Sequence, residues 1–121
     1  MSKMTNEQFK AQMIRDKQFL KELYESNSFS KSKRILYFAS DAEIGTLMKY
    51  LHFVSNGEIK IKKSNFEALK NHHLASIKKH FEKKAKFQLV LRLSRKDKIK
   101  ILGKFTAVFS HLLSPLFNES T

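Results

Sequence analysis

Along the chain, apolar residues recur at intervals of three and four, the spacing of one face of an α-helix, and hardly ever at the interval of two that marks a strand. The clearest run follows Ser40. Ile44, Leu47, Met48, Leu51 and Val54 fall within about 120° of arc at about 100° per residue. Just ahead of them, Ser40-Asp41-Ala42-Glu43 has the form of a capping box, in which the hydroxyl and the carboxylate each satisfy an orphan backbone N–H. Asn56-Gly57 ends the run, since both residues tolerate the left-handed backbone of a C-terminal cap.

The same logic predicts helices on either side. Thr5 can cap a helix running to Glu25, with Phe9, Met13, Leu20 and Leu23 on one side. A polar break, Ser26 to Ser30, carries Phe29 and reads as a hinge. A short helix over Lys31 to Ala39 would present Ile35, Leu36 and Phe38. After an extended connector at Glu58 to Lys62, Ser64-Asn65-Phe66-Glu67 forms a second capping-box pattern. It opens a helix with Phe66, Leu69, His73 or Leu74, Ile77 and Phe81 as apolar positions and a break near His72. Another helix covers Ala85 to Leu93. Ser94 then caps a last long one, on which Leu102, Phe105, Phe109, Leu112 and Leu113 share a face. The expectation is an all-α protein: an N-terminal helix and polar hinge over 1–30, a compact bundle of about six short helices over 31–117, and a tail over 118–121.

Composition supports a folded domain. The 121 residues include 11 Phe but only 3 Gly and 1 Pro, the opposite of a disordered basic tail. There is no cysteine, which excludes disulfides, thiol catalysis and cysteine-held zinc. The first ten residues are polar with no apolar run, so no secretory leader is expected. The longest charge-free apolar stretch, Phe105 to Phe117, has 13 residues. A membrane span needs about 20.

Charge is distributed unevenly. Between Lys60 and Lys104 stand 15 Lys or Arg against only Glu67, Glu82 and Asp97, which places +12 of the formal +13 in that stretch. A merely solubilising surface mixes both signs, whereas a one-sided field attracts polyanions over about 8–10 Å at physiological salt. The candidate phosphate-binding residues are Lys60, Lys62, Lys63, Lys78, Lys79, Lys83, Lys84, Lys86, Arg92, Arg95, Lys96, Lys100 and Lys104. Lys96, Lys100 and Lys104 form a stripe at i, i+4 and i+8. With 20 Lys to 4 Arg, point charges on phosphate are favoured over the bidentate fork that reads base edges. Binding without sequence preference follows.

Other chemistry has little footing. Phe66, Phe81, Phe87, Phe105 and Phe109 occupy helical apolar positions and read as core, while Phe29, Tyr37 and Tyr50 are freer to be exposed. His72, His73 and His80 lack the i, i+4 spacing of helical metal ligands, so no metal site is expected, and their ordinary role would be added positive charge as pH falls through about 6.5. No Gly-rich phosphate loop, nucleophile elbow or paired carboxylate marks an enzyme. Glu82 and Lys86 read as a simple i, i+4 pair. No cofactor or small-molecule substrate is indicated. At the C-terminal end, Phe109, Leu112, Leu113, Leu116 and Phe117 would cover more than one helix face, implying either burial as a central helix or self-association.

Lys33-Arg34-Ile35-Leu36 with Ala39-Ser40, then Ile44-Gly45-Thr46-Leu47, Asn56-Gly57-Glu58-Ile59, Leu69-Lys70 and Arg95-Lys96-Asp97-Lys98 before Leu102, together resemble the small basic helical proteins of Maverick/Polinton-type elements and related adintoviruses. The resemblance covers residues 29–117 and implies a DNA-associated core or packaging protein of a double-stranded DNA element. It also implies an intracellular location, in the host nucleus or the virion interior. The functional expectation is therefore non-enzymatic binding and compaction of double-stranded DNA. The alternative is a protein-interaction bundle, similar in outline to six-helix death-fold adaptors, whose basic face meets an acidic partner. Membrane-surface association through the C-terminal apolar segment is a weaker third reading, because no basic residue lies within that segment.

Overall fold

In a computed structural model, which describes residues 2–26 and 28–117 and their side chains from residue 7 onward, the chain folds into ten α-helices. They are α1 (Ser2–Arg15), α2 (Lys17–Glu25), α3 (Phe29–Phe38), α4 (Asp41–Ser55), α5 (Lys63–Glu67), α6 (Asn71–Ile77), α7 (Lys84–Leu91), α8 (Arg95–Leu102), α9 (Phe109–Leu112) and α10 (Ser114–Phe117). Lys78–Glu82 forms a π-helical turn and Gly103–Phe105 a 3₁₀ turn, and no strand occurs among the described residues. The class is all-α, as the spacing of apolar residues requires. The helices are shorter and more numerous than expected.

α4 is organised as its sequence indicates. Glu43 N–H donates to Ser40 Oγ at 3.0 Å and Ser40 N–H to Glu43 Oε1 at 2.8 Å, so the capping box is complete. At the other end Gly57 turns with φ of +88°, the left-handed conformation that glycine adopts without penalty. Leu47, Met48, Tyr50 and Leu51 are fully buried, and Leu20, Leu23, Leu36, Phe81, Leu102 and Phe105 from other elements join the same core. α1 and α2 belong to that core too, through Phe9, Phe19, Leu20 and Leu23; the Phe9 and Phe53 rings lie 4.8 Å apart. The polar break before α3 is fastened by a 2.7 Å hydrogen bond between the buried Ser26 and Ser32 hydroxyls and by Ser28 Oγ, which caps α3 by accepting from Lys31 N–H.

Several expectations are corrected, beginning with the helix expected over Lys31 to Ala39, which starts at Phe29, inside the segment read as a hinge, and ends at Phe38. The helix expected from Thr5 to Glu25 already begins at Ser2 and is interrupted at Asp16. Asp16 turns inward, where Arg15 donates to its two oxygens at 2.9 and 2.8 Å and the Thr46 hydroxyl donates at 2.6 Å. The hydrogen bond from Arg15 holds the Asp16 carboxyl below its usual range despite burial, and Thr46 adds to the effect. Next, Ser64 caps nothing, because α5 starts one residue earlier and ends after a single turn and a half. Its successor α6 begins instead with Lys70 N–H donating to His73 Nδ1 at 3.1 Å. The expected pair of Glu82 and Lys86 is likewise absent from the ion pairs among the described residues, since Lys83 leaves the helical conformation between them.

The last correction concerns the C-terminal segment. Rather than one long helix it is α8, the 3₁₀ turn, α9 and α10, and these breaks let side chains on several sides turn inward. Phe109, Leu112 and Leu113 have no solvent exposure, so they are core rather than a self-association surface; only Leu116 and Phe117 stay partly exposed. The Tyr50 hydroxyl donates to the Leu112 carbonyl at 2.6 Å, satisfying a helix-end acceptor inside the core. Burial raises the Tyr50 hydroxyl well above its ordinary value. Tyr50 was expected among the freer aromatics and is instead a buried link between α4 and α9.

Candidate nucleic-acid interface

Lysine has a long apolar stem and a strongly hydrated head, so on a folded surface it remains extended into water unless an acid recaptures it. Lys60, Lys62, Lys63, Lys78, Lys79, Lys83, Lys84, Lys86, Arg92, Lys96, Lys100 and Lys104 are all exposed. Among the described residues the ion pairs are Arg15 with Asp16 and Arg95 with Asp41, so none of these twelve is neutralised by a salt bridge there. Arg95 is the exception. Its guanidinium donates to Asp41 Oδ1 at 2.8 Å, to the Tyr37 carbonyl at 2.9 Å and to the Ala39 carbonyl. Arg95 therefore closes the C-terminal end of α3, where a cation is favourable, and is engaged there unlike the other twelve candidates.

The fold gathers the stripe on α8 into a groove. Lys96 and Lys100 from α8 and Lys104 from the 3₁₀ turn face Lys33 and Phe29 of α3 across a cavity of about 560 Å³, with Ile99 and Gly103 completing its lining. Four lysines line it and no carboxylate does. Asp97, which sits among these lysines in sequence, is instead at the start of α8, where its N–H donates to Ser94 Oγ at 3.2 Å. Phe29 remains 59% exposed, and Lys33 Nζ lies 5.3 Å from its ring centre. Sequence reasoning missed Lys33. Its spacing of four from an apolar residue in a polar segment was the available signal.

Lys104 joins this groove to a second group. Burial, followed by the charges of Lys104, Lys79 and Lys86, lowers the pKa of His80, whose Nε2 is buried without a hydrogen-bond partner. Lys104, distant in sequence, thus lies within electrostatic reach of the same imidazole as Lys79 and Lys86. Lys60 and Lys78 instead flank a separate apolar cavity of about 350 Å³ lined by Ile59, Ile61, Phe66 and Leu69 among others. Phe66, expected in the core, is half exposed there. Lys62, Lys63, Lys83, Lys84 and Arg92 line neither cavity.

Two of the three histidines expected to add charge, His73 and His80, resist protonation in the folded chain. His73 is buried and its pKa is lowered by desolvation, then by His72 and Lys70, while its Nδ1 must stay unprotonated to accept from Lys70 N–H. His80 is lowered as well, so acidification is opposed at two of the three positions expected to strengthen anion binding. A histidine with a depressed folded pKa favours the native state fully above its unfolded value of 6.5, and loses that contribution as pH falls through the lower folded value. Stability in urea is therefore expected to fall as pH drops below the unfolded value of 6.5. His73→Gln, which keeps an acceptor at the third helical position, should flatten part of that fall. An unchanged pH profile in the variant would contradict the role given to His73.

Ser114, His111 and Asn65 lie together, but not as a nucleophile and base. The Ser114 hydroxyl donates to the His111 carbonyl at 2.9 Å, and the His111 ring meets Asn65 Oδ1 at 2.8 Å. No imidazole is placed to take the serine proton. His52 is similarly committed, with Nδ1 donating to the Phe81 carbonyl at 2.6 Å and its ring stacked on Phe87. Among the described residues no three His, Asp or Glu side chains gather as metal ligands, and no helix is long and apolar enough to cross a membrane. Comparison with protein-family models, with curated proteins and with solved structures finds no match to this chain.

Proposed function

We propose that the protein is a non-enzymatic nucleic-acid-binding protein that holds double-stranded DNA through its phosphates, without reading sequence, and compacts it. The observation that carries the reading is the groove in which Lys33, Lys96, Lys100 and Lys104 converge with no acidic residue in the lining. Four uncompensated ammonium groups concentrate counter-ions, and their release by a polyphosphate strand supplies the driving force. Lys79 and Lys86, near Lys104 around His80, extend the field beyond the groove. Because lysine contributes charge and little directional information, affinity should depend on phosphate number rather than base order.

The test is a titration of labelled duplexes of unrelated sequence over a range of salt. With about 5 to 8 phosphates neutralised, log K should fall against log salt with a slope of about −4 to −7, equally for all duplexes. A slope near zero, or binding to one sequence alone, would contradict the reading. No binding to any duplex at physiological salt would return the basic face to an acidic protein partner.

A further inference from the structure

We propose that the groove between α3 and α8 is a site for one unpaired nucleotide, with its base stacked on Phe29 and its flanking phosphates on Lys96, Lys100 and Lys104. The proposal rests on the reading of the lysines as phosphate ligands and adds a preference that the lysines alone cannot give.

Exposure alone does not set Phe29 apart, since Tyr37 and Phe38 of the same helix are 67% and 77% exposed, but Phe29 is the aromatic that lines the lysine groove. Phe81, Phe105 and Phe109 are completely buried, and α3 buries Leu36, yet its first residue leaves an aromatic ring 59% exposed at the edge of a basic groove. The helix turn that carries the ring is fixed: Ser28 caps the first turn of α3, and the buried Ser26 and Ser32 hydroxyls bond to each other. Lys33 Nζ lies over one face of the ring, 5.3 Å from its centre, so a base stacks on Phe29 either against the opposite face or by displacing this flexible side chain. An aromatic among cations offers what a nucleotide needs, a surface for the base and charges for the phosphates. Paired bases inside a duplex have no free face to offer.

The dimensions agree. The cavity of about 560 Å³ falls within the range of about 300 to 1,000 Å³ that small-molecule sites occupy, so it can admit a base and sugar, whereas a duplex would meet only the exposed lysines at its rim. Ile99 supplies an apolar wall and Gly103 leaves open space, since a side-chain carbon added there would meet no atom within 4 Å. Gly103 has φ of −61° and ψ of −20°, a backbone open to any residue, so its lack of a side chain is not demanded by the turn. A larger residue at 103 should fill the groove while leaving the fold intact.

The experiment measures binding of a labelled oligothymidine strand and of a duplex of equal length to the full chain, alongside Phe29→Ala, Phe29→Tyr and Gly103→Leu. Circular dichroism establishes that each variant is folded. Phe29→Ala should weaken the single strand by about 5- to 100-fold and the duplex by less than about twofold, with Phe29→Tyr restoring the parent value. Gly103→Leu should match Phe29→Ala. If folded Phe29→Ala or Gly103→Leu binds the single strand as the parent does, or loses both ligands equally, the nucleotide site is wrong while salt-dependent duplex binding by the parent still stands. If the parent binds neither probe, both this site and the phosphate-binding reading fall.

Discussion

Leu113→Asp is expected to unfold the protein. Leu113 has no solvent exposure and lies between α9 and α10, in a core shared with Phe109, Leu112 and Leu23. A carboxylate placed there finds no cation in that cluster and must either protonate or drag water inward, at a cost of several kcal/mol. Domains of this size are stable by only about 5 to 15 kcal/mol, so most of the margin is lost. Far-ultraviolet circular dichroism should show reduced helicity and no cooperative urea transition. A variant with parental helicity, stability and mass by light scattering would show that position 113 is not in the core.

The second large effect is expected from charge reversal in the groove. Lys96→Glu, Lys100→Glu and Lys104→Glu together replace three cations lining one cavity with three anions, and leave Lys33 and Phe29 facing them. Each lost phosphate contact lowers the salt slope by about one, and each new carboxylate repels the strand, so duplex affinity should drop by about 100-fold or more. All three side chains are exposed, and helicity should survive. The matched control reverses Lys10, Lys17 and Lys21, which are exposed on α1 and α2, lie outside the groove and have Glu7, Glu22 and Glu25 nearby in sequence. Its affinity should change far less. Equal losses in the two variants would mean that net charge alone governs binding.

The parts of this fold that could be read from the sequence are those whose causes are local. α4 was legible because Ser40 and Glu43 satisfy each other's backbone across three residues and the apolar face follows at once. The interruption at Asp16 was not, because its partner Thr46 comes thirty residues later. The same holds for the segment after Gly103, where Tyr50 takes the Leu112 carbonyl. Ser64 had the right neighbours for a capping box, yet its segment found other anchors: Asn65 donates to Ser114 Oγ at 3.0 Å and accepts from the His111 ring. Tertiary bonds overrode a local pattern.

The site divides along the same line. The exposure of the lysines and the stripe on α8 follow from charge and helical spacing, both visible in the chain. That Arg95 would be drawn off to Tyr37, Ala39 and Asp41 could not be seen, since those acceptors lie more than fifty residues away. Nor could the meeting of α3 with α8, which turns an exposed Phe29 and Lys33 into the far wall of the groove.

Lysine acetylation footprinting, read by mass spectrometry with and without duplex DNA, tests the central claim most directly because each of the 20 lysines reports separately. Saturating duplex should protect Lys33, Lys96, Lys100 and Lys104 most, Lys79 and Lys86 next, and leave Lys10, Lys17 and Lys21 reacting as in the free protein. Uniform protection, or protection strongest at Lys10, Lys17 and Lys21, would contradict the assignment of the nucleic-acid interface to the groove between α3 and α8.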